Sequence, residues 1–183
     1  MSVVVVDYGA GNTRSVLAAL AHLGAGGVVT SDADAIEAAG LVILPGVGSA
    51  RSAMAHLVAT GAAGALARRV EAGGSTLGIC LGLQLALERS AEDGGVEGLG
   101  LAPGEVVRLT SPRVPRLGWC AVEPWGDTYY FAHSYVARSD AAVAWAEGEV
   151  AAIRAGSFLG VQFHPEKSGP AGLAFLERCL CPA

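Results

Sequence analysis

The sequence predicts an α/β fold, an open and mostly parallel sheet flanked by helices, with additional antiparallel strands in the second half. Three observations carry this reading. Up to about residue 94, continuously apolar β-branched runs alternate with alanine-rich stretches of helical spacing. Past that point, brief apolar runs are separated by turn residues instead. A chain of 183 residues is long enough for a single domain, 1–183, to bury a substantial core without disulfides. Strand, helix, strand, helix in that order implies parallel pairing through right-handed crossovers.

Each element has its own warrant. Residues 3–7 open with four valines, so the strand is continuously apolar and buried on both faces. Gly9-Ala10-Gly11-Asn12 is a turn, and Asn12 or Thr13 is placed to cap the helix that follows. Val16, Leu17, Leu20 and Leu23 fall on one stripe of that helix, which Gly24 ends. Val28-Val29 starts a second strand, and residues 41–44 form a third, stopped by Pro45-Gly46. Helical sequence runs to about Val70, interrupted at Gly61 and Gly64. Residues 76–79 form the strand that carries Cys80, and 83–87 continue as a helix. Later strands are expected at 106–107, 129–131, 142–145 and 158–163. Leu173, Leu176 and Leu180 at helical spacing predict a last helix over 171–181.

Composition excludes several functions. The net charge of −5 is dispersed, which argues against a nucleic-acid surface. The four cysteines form no C-x-x-C pair and have no histidine cluster beside them, so neither a zinc site nor any other metal is expected. An activated thiol is also safest where disulfides do not form. The N-terminus lacks a basic lead-in and Asp7 cuts its apolar run, so no signal peptide, membrane span or membrane partner is predicted. The expected location is cytoplasmic. Lys167 is the only lysine, and its place beside His164 and Glu166 gives it a candidate role of its own.

The chemistry is concentrated in two segments. Gly78-Ile79-Cys80-Leu81-Gly82 follows an apolar strand and opens a helix, the context of a sharp turn that holds a nucleophile above a sheet. Gln162-Phe163-His164-Pro165-Glu166 supplies a base and a carboxylate to orient it. A thiol attacks as its thiolate, which a helix N-terminus behind Cys80 and an imidazole in front would both favour. If the chain is extended from His164 to Glu166, the two side chains share a face. Together these residues predict an enzyme that forms a covalent thioester.

These two segments, with Leu83-Gln84 after the first, resemble the triad, or class I, glutamine amidotransferases. Asp7-Tyr8-Gly9-Ala10-Gly11-Asn12, Leu44-Pro45-Gly46-Val47-Gly48-Ser49, Phe131-Ala132-His133-Ser134-Tyr135 and Pro165-Glu166-Lys167-Ser168-Gly169 narrow the resemblance to the glutaminase subunits of imidazole glycerol phosphate synthases. The motifs come in family order and span nearly the whole chain. The resemblance implies one glutamine amidotransferase domain, with Cys80 as nucleophile, His164 as general base and acid, and Glu166 as the orienting acid. It implies an oxyanion hole from backbone N–H groups of Gly46 or Val47 and of Leu81, on a strand that needs reorganisation before its donor points inward. Gln84 would contact the glutamine substrate, and Ser134 and Tyr135 would line its amino-acid end through their backbones. His133 is as consistent with a structural role as with a functional one.

The resemblance further implies a (β/α)₈ cyclase partner in a heterodimer, L-glutamine as substrate, ammonia passed to the cyclase, and no cofactor. Lys167, Trp119 and Asn12 would face that partner, although a helix cap accounts for Asn12 nearly as well. The stretch Val114-Pro115-Arg116-Leu117-Gly118-Trp119-Cys120 departs from the family, which usually has His, Met and Asn in place of Arg116, Leu117 and Cys120. That puts the local interface chemistry in doubt and leaves the triad intact.

Overall fold

Four consecutive valines make a strand with no polar face, and β1 (Val3–Val6) is buried along its whole length. The computed structural model describes residues 1–111 and 113–181. After β1 come α1 (Thr13–His22), β2 (Val28–Thr30), α2 (Ala33–Ala38), β3 (Leu41–Leu44), α3 (Ala50–Ala59), α4 (Ala62–Glu71), β4 (Thr76–Ile79) and α5 (Leu81–Ala86). The second half is mainly strands: β5 (Arg89–Ser90), β6 (Val96–Glu97), β7 (Glu105–Arg108), β8 (Arg116–Ala121), β9 (Thr128–His133), β10 (Tyr135–Arg138), β11 (Ala142–Ala146), β12 (Glu149–Ala155) and β13 (Phe158–Val161). Helix α6 (Gly169–Leu180) closes the chain.

The main sheet has the order β11-β12-β13-β4-β3-β1-β2. Pairing is parallel from β2 to β13, and β12 and β11 then add antiparallel strands at one edge. Strand β4 is therefore central, with parallel neighbours on both sides. Alternate residues of β1 serve opposite cores: Val3 and Val5 meet α1 and α6 through Val16, Leu20 and Phe175, while Val4 and Val6 meet α2, α3 and α4 through Ile36, Leu57 and Leu66. Each fully buried side chain of this kind is worth roughly 1.5–3 kcal/mol relative to exposure. A second sheet, β10-β7-β5-β6, packs on α5 and β12 through Leu83, Val106, Ala137 and Ile153. Strands β8 and β9 form a separate antiparallel pair.

Gly61, at φ 78°, separates α3 from α4, whereas Gly64 lies inside α4 and interrupts nothing. Asn12 occupies the N-cap of α1 but its side chain makes no capping bond, and Thr13 is already helical. The predicted strand 158–163 ends at Val161, and helix α5 starts at Leu81, two residues before the expected 83. Helix α6 begins at Gly169 rather than 171, since Pro170 is tolerated in a first helical turn. The runs expected from the sequence do not include α2, β5, β6, β8, β10 or β12. For α2 a signal existed: Asp32 caps it by accepting from Ala35 N–H at 2.8 Å.

Candidate active site

The centre of the site is a strained turn at the C-terminal end of β4. Cys80 has φ 50° and ψ −104°, a conformation that costs a non-glycine residue roughly 1–3 kcal/mol. What holds it is its surroundings. Its N–H donates to Val161 O at 2.7 Å, extending the pairing of β4 with β13, and α5 begins at the next residue. A Cβ on Gly82 would lie 2.0 Å from Leu44 O, and one on Gly46 would lie 1.7 Å from Ile79 O. The end of β3 is thus pressed against the turn so closely that only glycine fits at either position.

His164 reaches Cys80 from the end of β13. Its backbone N–H donates to Tyr130 O at 2.8 Å, and its carbonyl accepts from Ser168 Oγ at 2.6 Å. Ser168 Oγ in turn accepts from Tyr130 N–H at 2.9 Å. The neighbouring Phe163 is stacked on Tyr129 with ring centres 4.0 Å apart, within a cluster that includes Trp125, Phe131 and Phe175. Glu166 then bonds His164 Nδ1 through Oε1 at 2.8 Å, with both side chains 2% exposed. The pair forms, but not through extended chain as expected. His164 is extended, whereas Glu166 sits in a single helical turn, Pro165–Lys167, that Pro165 starts.

This geometry sets the charge of the pair. Burial pushes the His164 imidazole down, but hydrogen bonds to Cys80 and Glu166 and the charges of both outweigh it and raise the ring to about 9. Near neutral pH the arrangement therefore favours His164 as the imidazolium.

Two glutamines complete the polar network. Gln84 Nε2 donates to Tyr135 O at 2.9 Å and to Gln162 Oε1 at 3.0 Å, and Gln162 Nε2 donates to Cys80 Sγ at 3.5 Å. Gln162 is fully buried. Its motif alone assigns it no role, although a glutamine at an apolar strand end is itself a signal that its amide has partners. His133 Nδ1–H donates to the same Tyr135 carbonyl at 2.8 Å, which leaves its buried Nε2 without a partner among the described residues. Burial first, with smaller influences from neighbouring charges, pushes His133 down to about 4, so the ring is neutral. Ser134 O accepts from Leu109 N–H at 2.9 Å, so both carbonyls of the Ser134-Tyr135 segment are engaged within the chain.

Known proteins share this sequence and this fold. The family model described as glutamine amidotransferase class-I matches residues 4–182. The chain belongs to this family. Among curated relatives, imidazole glycerol phosphate synthase subunit HisH of Carboxydothermus hydrogenoformans is 45% identical, covering 95% of this chain and 96% of the relative. The HisH of a Thermus thermophilus strain is 41% identical, over 96% and 95%, and that of Mycobacterium tuberculosis H37Rv is 40% identical, over 96% and 95%. The chain is a HisH-type class I glutamine amidotransferase. A crystal structure of a glutamine amidotransferase superposes with TM-score 0.80 at 24% identity, covering 96% of this chain and 98% of the other. PurLQS of Thermotoga maritima superposes with 0.73 at 22% identity, over 98% and 97%. Those two similarities are evidence for the class I amidotransferase fold.

Other residues singled out in this HisH-type chain take the following positions. Gly46 is buried against the turn, Leu81 N–H opens α5, and Val47 is 37% exposed. Lys167 is exposed at the end of the turn that carries Glu166. Helix α1, which follows Asn12, packs against that turn, and so does β9, whose partner β8 carries Trp119. Asn12, Lys167 and Trp119 are thus carried by the turn itself or by elements joined to it directly or through one neighbour. Leu117 and Trp119 point outward from β8, 65% and 58% exposed, with the Trp119 ring edge-on to Tyr130 at 5.9 Å. Arg116 is occupied by Glu147 at 3.0 Å and by Ala146 O at 3.2 Å. No helix among the described residues is long and apolar enough to cross a membrane.

Proposed function

We propose that this chain hydrolyses L-glutamine to L-glutamate and ammonia, and passes the ammonia to a (β/α)₈ cyclase subunit of imidazole glycerol phosphate synthase. The cyclase would then form imidazole glycerol phosphate and aminoimidazole carboxamide ribotide in histidine biosynthesis, in the cytoplasm, within a heterodimer. The observation that carries the reading is the His164 contact set, a buried imidazole bonded to Glu166 on one side and facing Cys80 on the other, in a chain up to 45% identical to curated HisH subunits. Cys80 Sγ attacks the side-chain amide carbon, and the carbonyl oxygen becomes an oxyanion received by N–H groups of Gly46 or Val47 and of Leu81. Removing one such donor typically costs about 10²–10³-fold in rate. The raised His164 is protonated at that moment, so it can give its proton to the leaving nitrogen as ammonia departs. Once the thioester has formed, the thiolate charge that helped hold this proton is gone. Neutral His164 then takes a proton from water, which attacks the thioester and frees glutamate. Gln84, with its Nε2 already engaged, has its Oε1 for the substrate, beside Ser134 and Tyr135.

The partner would dock on the side that bears Asn12, Trp119 and Lys167. An exposed lysine pair there would be worth under about 1 kcal/mol, so Lys167 would set placement more than affinity. The test is Cys80→Ala in the complex. The expected result is loss of glutamine-dependent turnover by at least about 10³-fold, with synthesis from added ammonia retained. Wild-type use of glutamine by that variant would sink the mechanism.

A further inference from the structure

The side chain that touches the end of β3 most directly is one that the proposed chemistry does not use. Tyr8 is 2% exposed, and its hydroxyl donates to Pro45 O at 2.7 Å and lies 3.3 Å from Val47 O. These carbonyls belong to the peptides on either side of the Gly46–Val47 peptide. The Pro45–Gly46 and Val47–Gly48 peptides are trans, so with their oxygens turned toward Tyr8 the N–H groups of Gly46 and Gly48 point away from it. One hydroxyl thus anchors the Pro45–Gly46 peptide and also bears on the Val47–Gly48 peptide.

The same tyrosine ties this strand to the 7–12 loop. Asp7 Oδ1 accepts from Gly9 N–H at 2.9 Å, which closes the loop behind Tyr8. A Cβ on Gly11 would lie 3.3 Å from Pro45 Cγ and 3.5 Å from Tyr8 Oη, and one on Gly48 would lie 3.1 Å from Ala10 Cβ. The loop and the strand are therefore in contact along their length, with Tyr8 as the hydrogen-bonded link. Asn12 ends this loop.

We propose that Tyr8 is a positioning residue for the oxyanion hole: it holds the peptides flanking Gly46–Val47 in register with the Cys80 turn and makes that register depend on the 7–12 loop. This rests on the glutaminase reading above. Tyr8 touches no reacting atom; it acts through where it puts the donors.

The test uses Tyr8→Phe in the complex with the cyclase subunit, since phenylalanine keeps the packing and removes only the hydroxyl. Three quantities are read: kcat and KM for glutamine, inhibition by glutamate γ-semialdehyde, and the rate of Cys80 alkylation by iodoacetamide. The aldehyde adds to the Cys80 sulfur by forming an S–C bond while the carbonyl electron pair moves to oxygen, so its binding needs the oxyanion donors. Alkylation by iodide displacement at a methylene carbon does not. The expected result is kcat down by about 10-fold, aldehyde binding weakened by the same factor, and KM and alkylation unchanged. Unchanged kcat and aldehyde binding would overturn the proposal, and so would KM, alkylation and kcat all moving together, which marks a merely structural tyrosine. A wild-type complex that releases no glutamate would instead overturn the glutaminase reading and this proposal with it.

Discussion

The two ends of the central strands are built for different work. At the C-terminal ends of β4 and β13, the polar side chains of Gln84, Gln162, His164 and Glu166 are buried together around a cysteine in a strained conformation. At the opposite end, beside the starts of β3 and β4, a cavity of about 670 Å³ opens, lined by Leu41, Leu77, Leu159, Trp125 and Phe175, with Arg154 and Arg178 exposed at its edge. This hollow lies at the end away from Cys80. Volume is cheap to leave where loops splay. A buried polar group is costly unless it is partnered, so a cluster of them signals a maintained arrangement.

Arg69 sharpens the contrast, because it is a buried charge near the cavity end with a purely structural set of partners. It is 4% exposed and donates to the carbonyls of Ile36, Glu37, Ala39, Gly40 and Ser75, at 2.7–3.2 Å. It stitches the loop after α2 to the entry of β4. The guanidinium satisfies backbone oxygens there, whereas the glutamines at the other end lead to a sulfur.

Substitutions that break this comparison should differ in kind as well as size. His164→Asn is expected to lower kcat by about 10²–10⁴-fold, read by steady-state glutamate release. Gln162→Leu removes the donor to Cys80 Sγ and should lower kcat by about 10-fold. A kcat equal to wild type would mean that the two-glutamine chain only fills space. Arg69→Ala should leave kcat intact at low temperature yet lower stability by about 2–4 kcal/mol in denaturant unfolding. A large loss of kcat without a loss of stability would contradict the division between the two ends.

In pH dependence the two histidines have opposite signs. His164 is raised from 6.5 to about 9, so the stability it contributes is fully present below about 6.5 and fades as pH rises through about 9. His133 is lowered from 6.5 to about 4, so it stays neutral while the unfolded chain takes up a proton, and stability falls as pH drops from 6.5 toward 4. Melting curves of His164→Asn should therefore lack the alkaline loss, and those of His133→Asn the acid one.

The sequence made the parallel half legible because its strands are buried on both faces. The runs at 3–6, 41–44 and 76–79 can be read without knowing their neighbours. Strand β12 was not legible, since Val150-Ala151-Ala152-Ile153 has no alternation and carries two good helix formers. Strand β8 alternates, but its outward face is Leu117, Trp119 and Ala121, so polarity does not mark it. The Cys80 turn and its histidine were readable from glycine spacing and a His-x-Glu pair. The path linking them was not, because the turn at Pro165–Lys167 replaces the extended chain assumed from the strand before it. Tyr8 and Gln162 escaped for a different reason: each acts across more than 35 residues of sequence.

The most direct measurement is glutamate release by the pure chain, alone, with its cyclase subunit, and with the cyclase carrying its nucleotide substrate or an unreactive analogue. The account predicts little release from the chain alone and a large rise in the loaded complex. Equal and substantial release in all three conditions would contradict it, leaving an ungated hydrolase in place of a partner-controlled ammonia donor.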